Sequence, residues 1–170
     1  INAGEFLART CMADLATLTT SKNADDSQSP ETGVAVTVVT DHPLLACLAS
    51  QYAGWPISVE DYFAMGSGPM RCLRGREKLF DLFPERTTES IAVGVLESSK
   101  LPTSTVVESM ADDCGIDPKY LTLLVAPTRS VAGGFQIVAR SIETALHKLH
   151  ELNQDNEQLD LNKIVSAIGT

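Results

Sequence analysis

Apolar and polar positions separate most cleanly over residues 126–152, APTRSVAGGFQIVARSIETALHKLHEL. Val131, Phe135, Val138, Ile142, Ala145, Leu146 and Leu149 recur at spacings of three and four, which places them on one side of a helix. Gly133, Gln136, Arg140, Glu143 and His147 repeat at the same spacing and form a second, polar stripe. Pro127, Thr128 and Ser130 supply the helix start, and no proline follows from Val131 to Leu152. The pattern therefore predicts one long helix over 131–152. Gly133 and Gly134 sit near its start, where a helix interior disfavours glycine; close approach of another group to the backbone would account for them.

The remaining chain alternates strand and helix signals. Residues 4–13 read as a short helix and 15–20 as a strand. Residues 22–32 are polar and read as a loop. The β-branched run VAVTVV over 34–39 predicts a strand buried on both faces. Thr40 and Asp41 cap a helix that begins at His42-Pro43 and runs to Gly54, and 55–63 reads as one further strand. AMGSGP then forms a tight loop, with Pro69 opening a short helix. Strands are expected at 91–96 and 121–125, around a helix at 102–115 that Thr103 or Ser104 caps and Gly115 stops. A polar connection over 153–160 precedes a last strand from Lys163 to Ile168.

Sheets covered by helices follow from this order, so the expected class is α+β, a layered sandwich of mixed sheets, with α/β as the alternative. Strand, turn, proline, helix, glycine, strand describes both 34–63 and 91–125, a faint internal duplication. The chain is then one domain or two pseudo-repeated halves, about 1–75 and 90–170. Such symmetry would bring the Gly66-Ser67-Gly68 loop toward the turn at Thr128–Gly134.

Composition narrows the possibilities. With 44 % apolar content in 170 residues, one ordinary core is affordable, and few aromatics make it aliphatic. A net charge of −9 argues against nucleic acid as a partner. No apolar run is long enough for a membrane span. Cys11, Cys47, Cys72 and Cys114 are widely spaced, which suits reduced thiols in a cytoplasm rather than disulfides or zinc. His147 and His150 lack a third ligand, so no metal site is expected.

Two stretches carry candidate chemistry. In the first, Gly66, Ser67 and Gly68 form a loop that opens a helix, and such a loop exposes backbone N–H groups to an anion. It matches neither a P-loop nor a dinucleotide fingerprint. A plain turn explains it equally well. Arg71, Arg74 and Arg76 follow, either serving an anionic ligand group or simply solvated. In the second, Arg140 and Glu143 stand three apart on the polar stripe. They are either a surface ion pair or a guanidinium and carboxylate aimed into a cleft.

TDHPLLACLASQYAGW, YFAMGSGP, APTRSVAGGFQIVARSIETALHKL and IVSAIGT resemble methenyltetrahydromethanopterin cyclohydrolases, as do GEFLARTCMADLA and ADDCGIDPKYLTLLVAPT. The resemblance covers essentially the whole chain; residues 22–32 and 73–89 depart from it. It implies a longer family chain, with segments before Ile1 and after Thr170. It also implies reversible hydrolysis of a methenyl bridge on a tetrahydromethanopterin carrier to a formyl group. The carrier is substrate, and no metal or bound cofactor takes part. A cytoplasmic homotrimer is implied, serving methanogenesis or formaldehyde oxidation. The family's catalytic arginine and glutamate fall on Arg140 and Glu143 of Ala139-Arg140-Ser141-Ile142-Glu143. Glu143 is then the base that activates water and Arg140 its partner, with Gly66, Ser67, Gly68, Thr128, Ser130, Gly133 and Gln136 lining the substrate. Two other readings remain open. One is a non-catalytic phosphate- or pterin-binding module using the Gly66–Gly68 loop; the other is an assembly subunit whose stripe is mere surface.

Overall fold

A computed structural model describes residues 2–22, 34–83, 85, 88–156 and 159–170. The expected loop at 22–32 lies outside these residues except for Lys22, which ends a strand. Helix α1 (Asn2–Cys11) precedes strand β1 (Thr17–Lys22) and strand β2 (Val34–Thr40). β2 is not buried on both faces. Val36, Val38 and Thr40 are buried, while Val34 and Val39 are exposed, so only one face is covered.

The next helix, Leu44–Gln51, is a π-helix that ends three residues before Gly54. Tyr52 N–H closes it on Cys47 O at 2.9 Å, five residues back. Thr40 does not cap it. Its hydroxyl accepts from His42 N–H at 3.0 Å and donates to Leu15 O at 2.7 Å, fixing the turn ahead of the helix.

The strand expected over 55–63 is a hairpin, β3 (Trp55–Val59) and β4 (Tyr62–Ser67), turned at Glu60 with φ 54°. No glycine or asparagine marks that turn, so the sequence reads through it. β4 also absorbs most of AMGSGP. Only Gly68 (φ 94°) turns the chain, and Pro69 is the N-cap of α2 (Met70–Arg74). β5 (Ala92–Glu97), α3 (Ser104–Cys114) and β6 (Leu121–Ala126) fall where the pattern places them. Thr103 caps α3 and Gly115 ends it in the left-handed region.

The predicted long helix is two helices, α4 (Val131–Val138) and α5 (Ser141–Asn156), interrupted at Ala139-Arg140. The polar connection expected from 153 is helical as far as Asn156. The last strand is confined to β7 (Ala167–Gly169), behind a 3₁₀ turn at Leu161–Lys163.

Two sheets result, as expected of an α+β sandwich. The first is antiparallel in the order β1-β2-β7. The second, β3-β4-β5-β6, is antiparallel except for the parallel pair β5 and β6. Strands 34–40 and 55–59 thus lie in different sheets, whereas β5 and β6 share one. Alternate residues of β5 show the layering. Ala92 and Leu96 pack with Val106 and Met110 of α3, while Val95 packs with Leu7 and Cys11 of α1. α1 also turns Ala8 and Met12 toward Val36, Val38, Leu48 and Phe135. The middle layer of α1, the π-helix, α4 and α5 therefore fills the space between the sheets.

Arg71 has neither of the roles the sequence suggests. It is fully buried, donates to Leu48 O and Ala49 O at 2.9 and 2.8 Å, pairs with Glu77, and lies against the Tyr52 and Phe80 rings. It thereby satisfies carbonyls near the end of the π-helix. Arg74 stacks on Trp55 at 4.6 Å, and only Arg76 is well exposed. Arg71→Ala should destabilise the fold by about 3–5 kcal/mol, because it strands a carboxylate and two carbonyls. Denaturant unfolding measures this, and a loss near zero would mean that water replaces the guanidinium at no cost.

Candidate functional site

The site begins where the parallel pair ends. Glu97, the last residue of β5, is in register with Ala126, the last of β6. Parallel strands bring their carboxyl ends to one edge, so the turn into α4 starts beside Glu97. Ser130 builds that turn. Its Oγ accepts from Gly133 N–H at 2.9 Å and donates to Pro127 O at 2.7 Å. A Cβ on Gly133 would sit 2.1 Å from Pro127 O, so the turn itself requires this glycine. Gly134 instead faces open space.

Burial falls on the seam between the two stripes of this segment. Phe135, Ala139, Ile142 and Leu146 are buried, but so are Gln136 (1 % exposed) and Glu143 (6 %). Val131 and Val138, both assigned to the apolar stripe, are exposed. The polar stripe is therefore not a solvated face.

Three of its neighbours form a closed set. Arg140 Nη2 donates to Glu97 Oε1 at 2.8 Å and to Gln136 Oε1 at 2.9 Å. Gln136 Nε2 donates to Glu97 Oε1 at 3.0 Å. Cys11 Sγ lies behind, 3.8 Å from Gln136 Oε1 and 3.3 Å from Ser67 Oγ. Burial pushes the Cys11 thiol pKa up, so it serves as a neutral wall. Ser67 and Gln136 thus both lie against Cys11. Gly66 and Gly68 stand differently. A Cβ on Gly66 would meet Ile57 and Met70, and one on Gly68 would crowd the Gly94 and Val93 backbone. Packing within the protein accounts for both.

Arg140 does not pair with Glu143. Its partner is Glu97, which the sequence reading passed over. Glu143 has no hydrogen bond or ion pair among the described residues. Burial pushes its carboxyl pKa up, against the pull of Arg140 and then Arg71 and with a further push from Glu97. Arg140 Nε, Ser141 Oγ and Gln51 Oε1 are also buried without a partner. A buried carboxylate beside such groups can exchange a proton with whatever occupies the space.

Glu97 also opens onto a surface groove of about 260 Å³ lined by Phe63, Ser98, Ser99, Pro127, Thr128 and Arg129. Thr128 thus lines the groove onto which Glu97 opens. A larger hollow of about 450 Å³ around Asp14, Thr40, Asp41 and His42 shares no residue with it. Among the described residues no cluster of histidine, cysteine, aspartate and glutamate could hold a metal ion. No described helix is long and apolar enough to cross a membrane.

Fold and site together define a layered α+β protein with an unpaired carboxylate and a neighbouring guanidinium buried in its middle layer. Residues 1–170 match the family model for Cyclohydrolase (MCH), and the chain belongs to that family. The chain is 53 % identical over 99 % of its length to the methenyltetrahydromethanopterin cyclohydrolase of Rhodopirellula baltica, covering 49 % of that protein. It is 44 % identical to that of Methanococcoides burtonii, over 99 % of this chain and 50 % of the relative. For Methanosarcina barkeri the figures are 45 %, 98 % and 50 %. The chain thus spans about half the length of these relatives.

The buried carboxylate has a stability signature. The folded-state pKa of Glu143 lies above its unfolded value. Between the two values the folded state binds the proton more readily, so stability falls as pH rises through that window. Glu143→Gln should therefore raise Tm at neutral pH, by about 2–4 °C for each kcal/mol relieved. The gain should vanish below the window, where wild-type Glu143 is protonated. Thermal unfolding of both proteins across pH tests this; a lower Tm for the variant at every pH would mean that Glu143 is paired.

Proposed function

We propose that the protein carrying this chain catalyses the reversible hydrolysis of 5,10-methenyltetrahydromethanopterin to the 5-formyl carrier, with Glu143 activating water. The observation that carries this reading is the burial of an unpaired Glu143 three residues after Arg140, in a chain whose relatives bear that activity in their names. The methenyl bridge is a cationic amidinium whose carbon is electrophilic. Water attacking it must lose a proton, and Glu143 takes that proton. Burial makes Glu143 a stronger base than an exposed carboxylate, and the incoming cation helps it to ionise. The Arg140 guanidinium keeps its pKa from rising further and offers an unpartnered Nε–H to the tetrahedral adduct.

The substrate enters along the groove at Thr128, and Gln136 meets it near Glu97. Ser130 and Gly133 hold the turn that forms the groove's wall, while Gly66, Ser67 and Gly68 shape the site from behind by packing. The carrier is substrate and no bound cofactor is required. A cytoplasmic homotrimer belongs to the same proposal.

The test is hydrolysis by the full-length protein, followed by loss of the methenyl carrier's near-ultraviolet absorbance. Glu143→Gln should lower kcat by about 10²–10⁴-fold with carrier binding kept. Arg140→Ala should move the acid limb of the remaining activity to higher pH, since Glu143 loses a positive neighbour. Glu143→Gln with more than about a tenth of wild-type kcat, a loss below roughly 1.4 kcal/mol of barrier, would remove Glu143 as the base.

A further inference from the structure

Two carboxylates compete for one guanidinium in this site. Arg140 precedes Glu143 by three residues, a spacing at which side chains on a helix ordinarily pair. The chain interrupts its helix at Arg140 and turns the guanidinium to Glu97 instead, at 2.8 Å. Gln136 closes the triangle from both sides, giving its amide N–H to Glu97 and its amide oxygen to Arg140. All three side chains are largely buried, with Arg140 and Glu97 at 11 and 15 % exposure. The contact joins the end of β5 to the α4–α5 junction, so the sheet itself sets where the guanidinium sits.

We propose that Glu97 is a positioning residue for the hydrolysis: its carboxylate holds the Arg140 guanidinium off Glu143, so that Glu143 meets the substrate unpaired. A Glu143 tied to Arg140 would lose basicity to its ion pair and lone pairs to its hydrogen bonds. With Glu97 in place, Arg140 acts on Glu143 only through space. This assignment rests on the function proposed above.

The groups that act on Glu143 come from four directions. Arg140 stands at the start of the Glu143 helix, Glu97 on β5 and Arg71 on α2; Cys47 of the π-helix and Tyr52, the residue that closes it, feel the Glu143 charge in turn. Glu97 pushes the Glu143 pKa up and both arginines pull it down. Removing the Glu97 charge takes away the push and frees Arg140 to reach Glu143, and both effects have the same sign.

The experiment compares pH–rate profiles of the full-length wild type, Glu97→Gln and Glu97→Asp on the methenyl carrier. Glu97→Gln keeps shape and an acceptor oxygen but not charge. It should lower kcat by roughly 10- to 100-fold and move the acid limb to lower pH. Glu97→Asp keeps the charge but withdraws it by one methylene. It should lower kcat and move the limb the same way but by less, because Arg140 is freed toward Glu143 while the push is retained. Glu97→Gln with a wild-type kcat and an unmoved limb overturns the assignment and leaves the proposed function intact. If Glu97→Gln does not fold, the aspartate variant decides, and a wild-type kcat there overturns it. A wild type unable to hydrolyse the carrier would instead remove the proposed function, and the role of Glu97 with it.

Discussion

The interruption at Ala139-Arg140 is the constraint on which the rest of this site depends. An unbroken helix over 131–152 would leave Arg140 and Glu143 neighbours on one face. Here Arg140 N–H falls back to Ile137 O at 3.1 Å, and Ala139 O accepts from the buried Gln51 amide at 3.0 Å. Gln51 is the last residue of the π-helix. The break is thus anchored by a tertiary hydrogen bond, in a segment that has neither proline nor a nearby glycine to cause it. From that anchor α4 directs Gln136 toward the sheet edge, and α5 buries Glu143 within the middle layer.

Putting a polar stripe inside a protein is costly unless its hydrogen bonds are met. The chain meets them unequally. Glu97, Gln136 and Arg140 satisfy one another, and Arg71 satisfies two carbonyls and Glu77. Among the described residues the buried side-chain atoms without a hydrogen bond are Gln51 Oε1, Arg140 Nε, Ser141 Oγ, Tyr62 Oη and Arg74 Nε; the first three lie near the break, as does the unpaired Glu143. Uniform under-satisfaction would indicate a poor core. Three such atoms and an unpaired carboxylate gathered at one locus, beside the triangle of Glu97, Gln136 and Arg140, suit the proposal that a ligand completes the site.

Much of this was legible in the sequence. The aliphatic strands expected at 91–96 and 121–125, the cap at Thr103 or Ser104, the Gly115 stop and the Ser130 helix start all follow from local chemistry, and the structure keeps them, with the strands at Ala92–Glu97 and Leu121–Ala126 and the cap at Thr103. The unusual stripe of Gln136, Arg140 and Glu143 was visible too. Its orientation was not, because periodicity reports that two faces differ and not which one the neighbouring sheet covers. Glu97 was missed for a related reason: it ends an aliphatic run and reads as the first exposed residue of a loop. The signal that could have found it is topological. A strand–helix–strand unit implies parallel strands with aligned carboxyl ends, and a carboxylate there stands beside the next turn. Arg71 and Gln51 gave no local signal, since their burial depends on residues distant in sequence.

The charges around Glu143 bear on what the site can accept. The two guanidiniums that act on it each have a carboxylate of their own, Arg140 with Glu97 and Arg71 with Glu77. Burial outweighs the pull of both guanidiniums at Glu143, and Glu97 opposes that pull, so its pKa rises. An ionised Glu143 is then the uncompensated charge of the set. An anionic ligand would add repulsion in a low-dielectric space, whereas a cation would stabilise the ionised form. A methenyl carrier brings its positive charge on the carbon under attack and loses it as water adds. The same charge that helps to ionise the base at the start is gone once the proton has moved, leaving a neutral tetrahedral adduct beside a protonated carboxyl; that proton can then go to the nitrogen that leaves as the C–N bond breaks to give the formyl group. A buried, unpaired carboxylate favours that neutral pair, so in the proposed reaction the desolvation that makes Glu143 costly to the fold would lower the energy of the proton transfer.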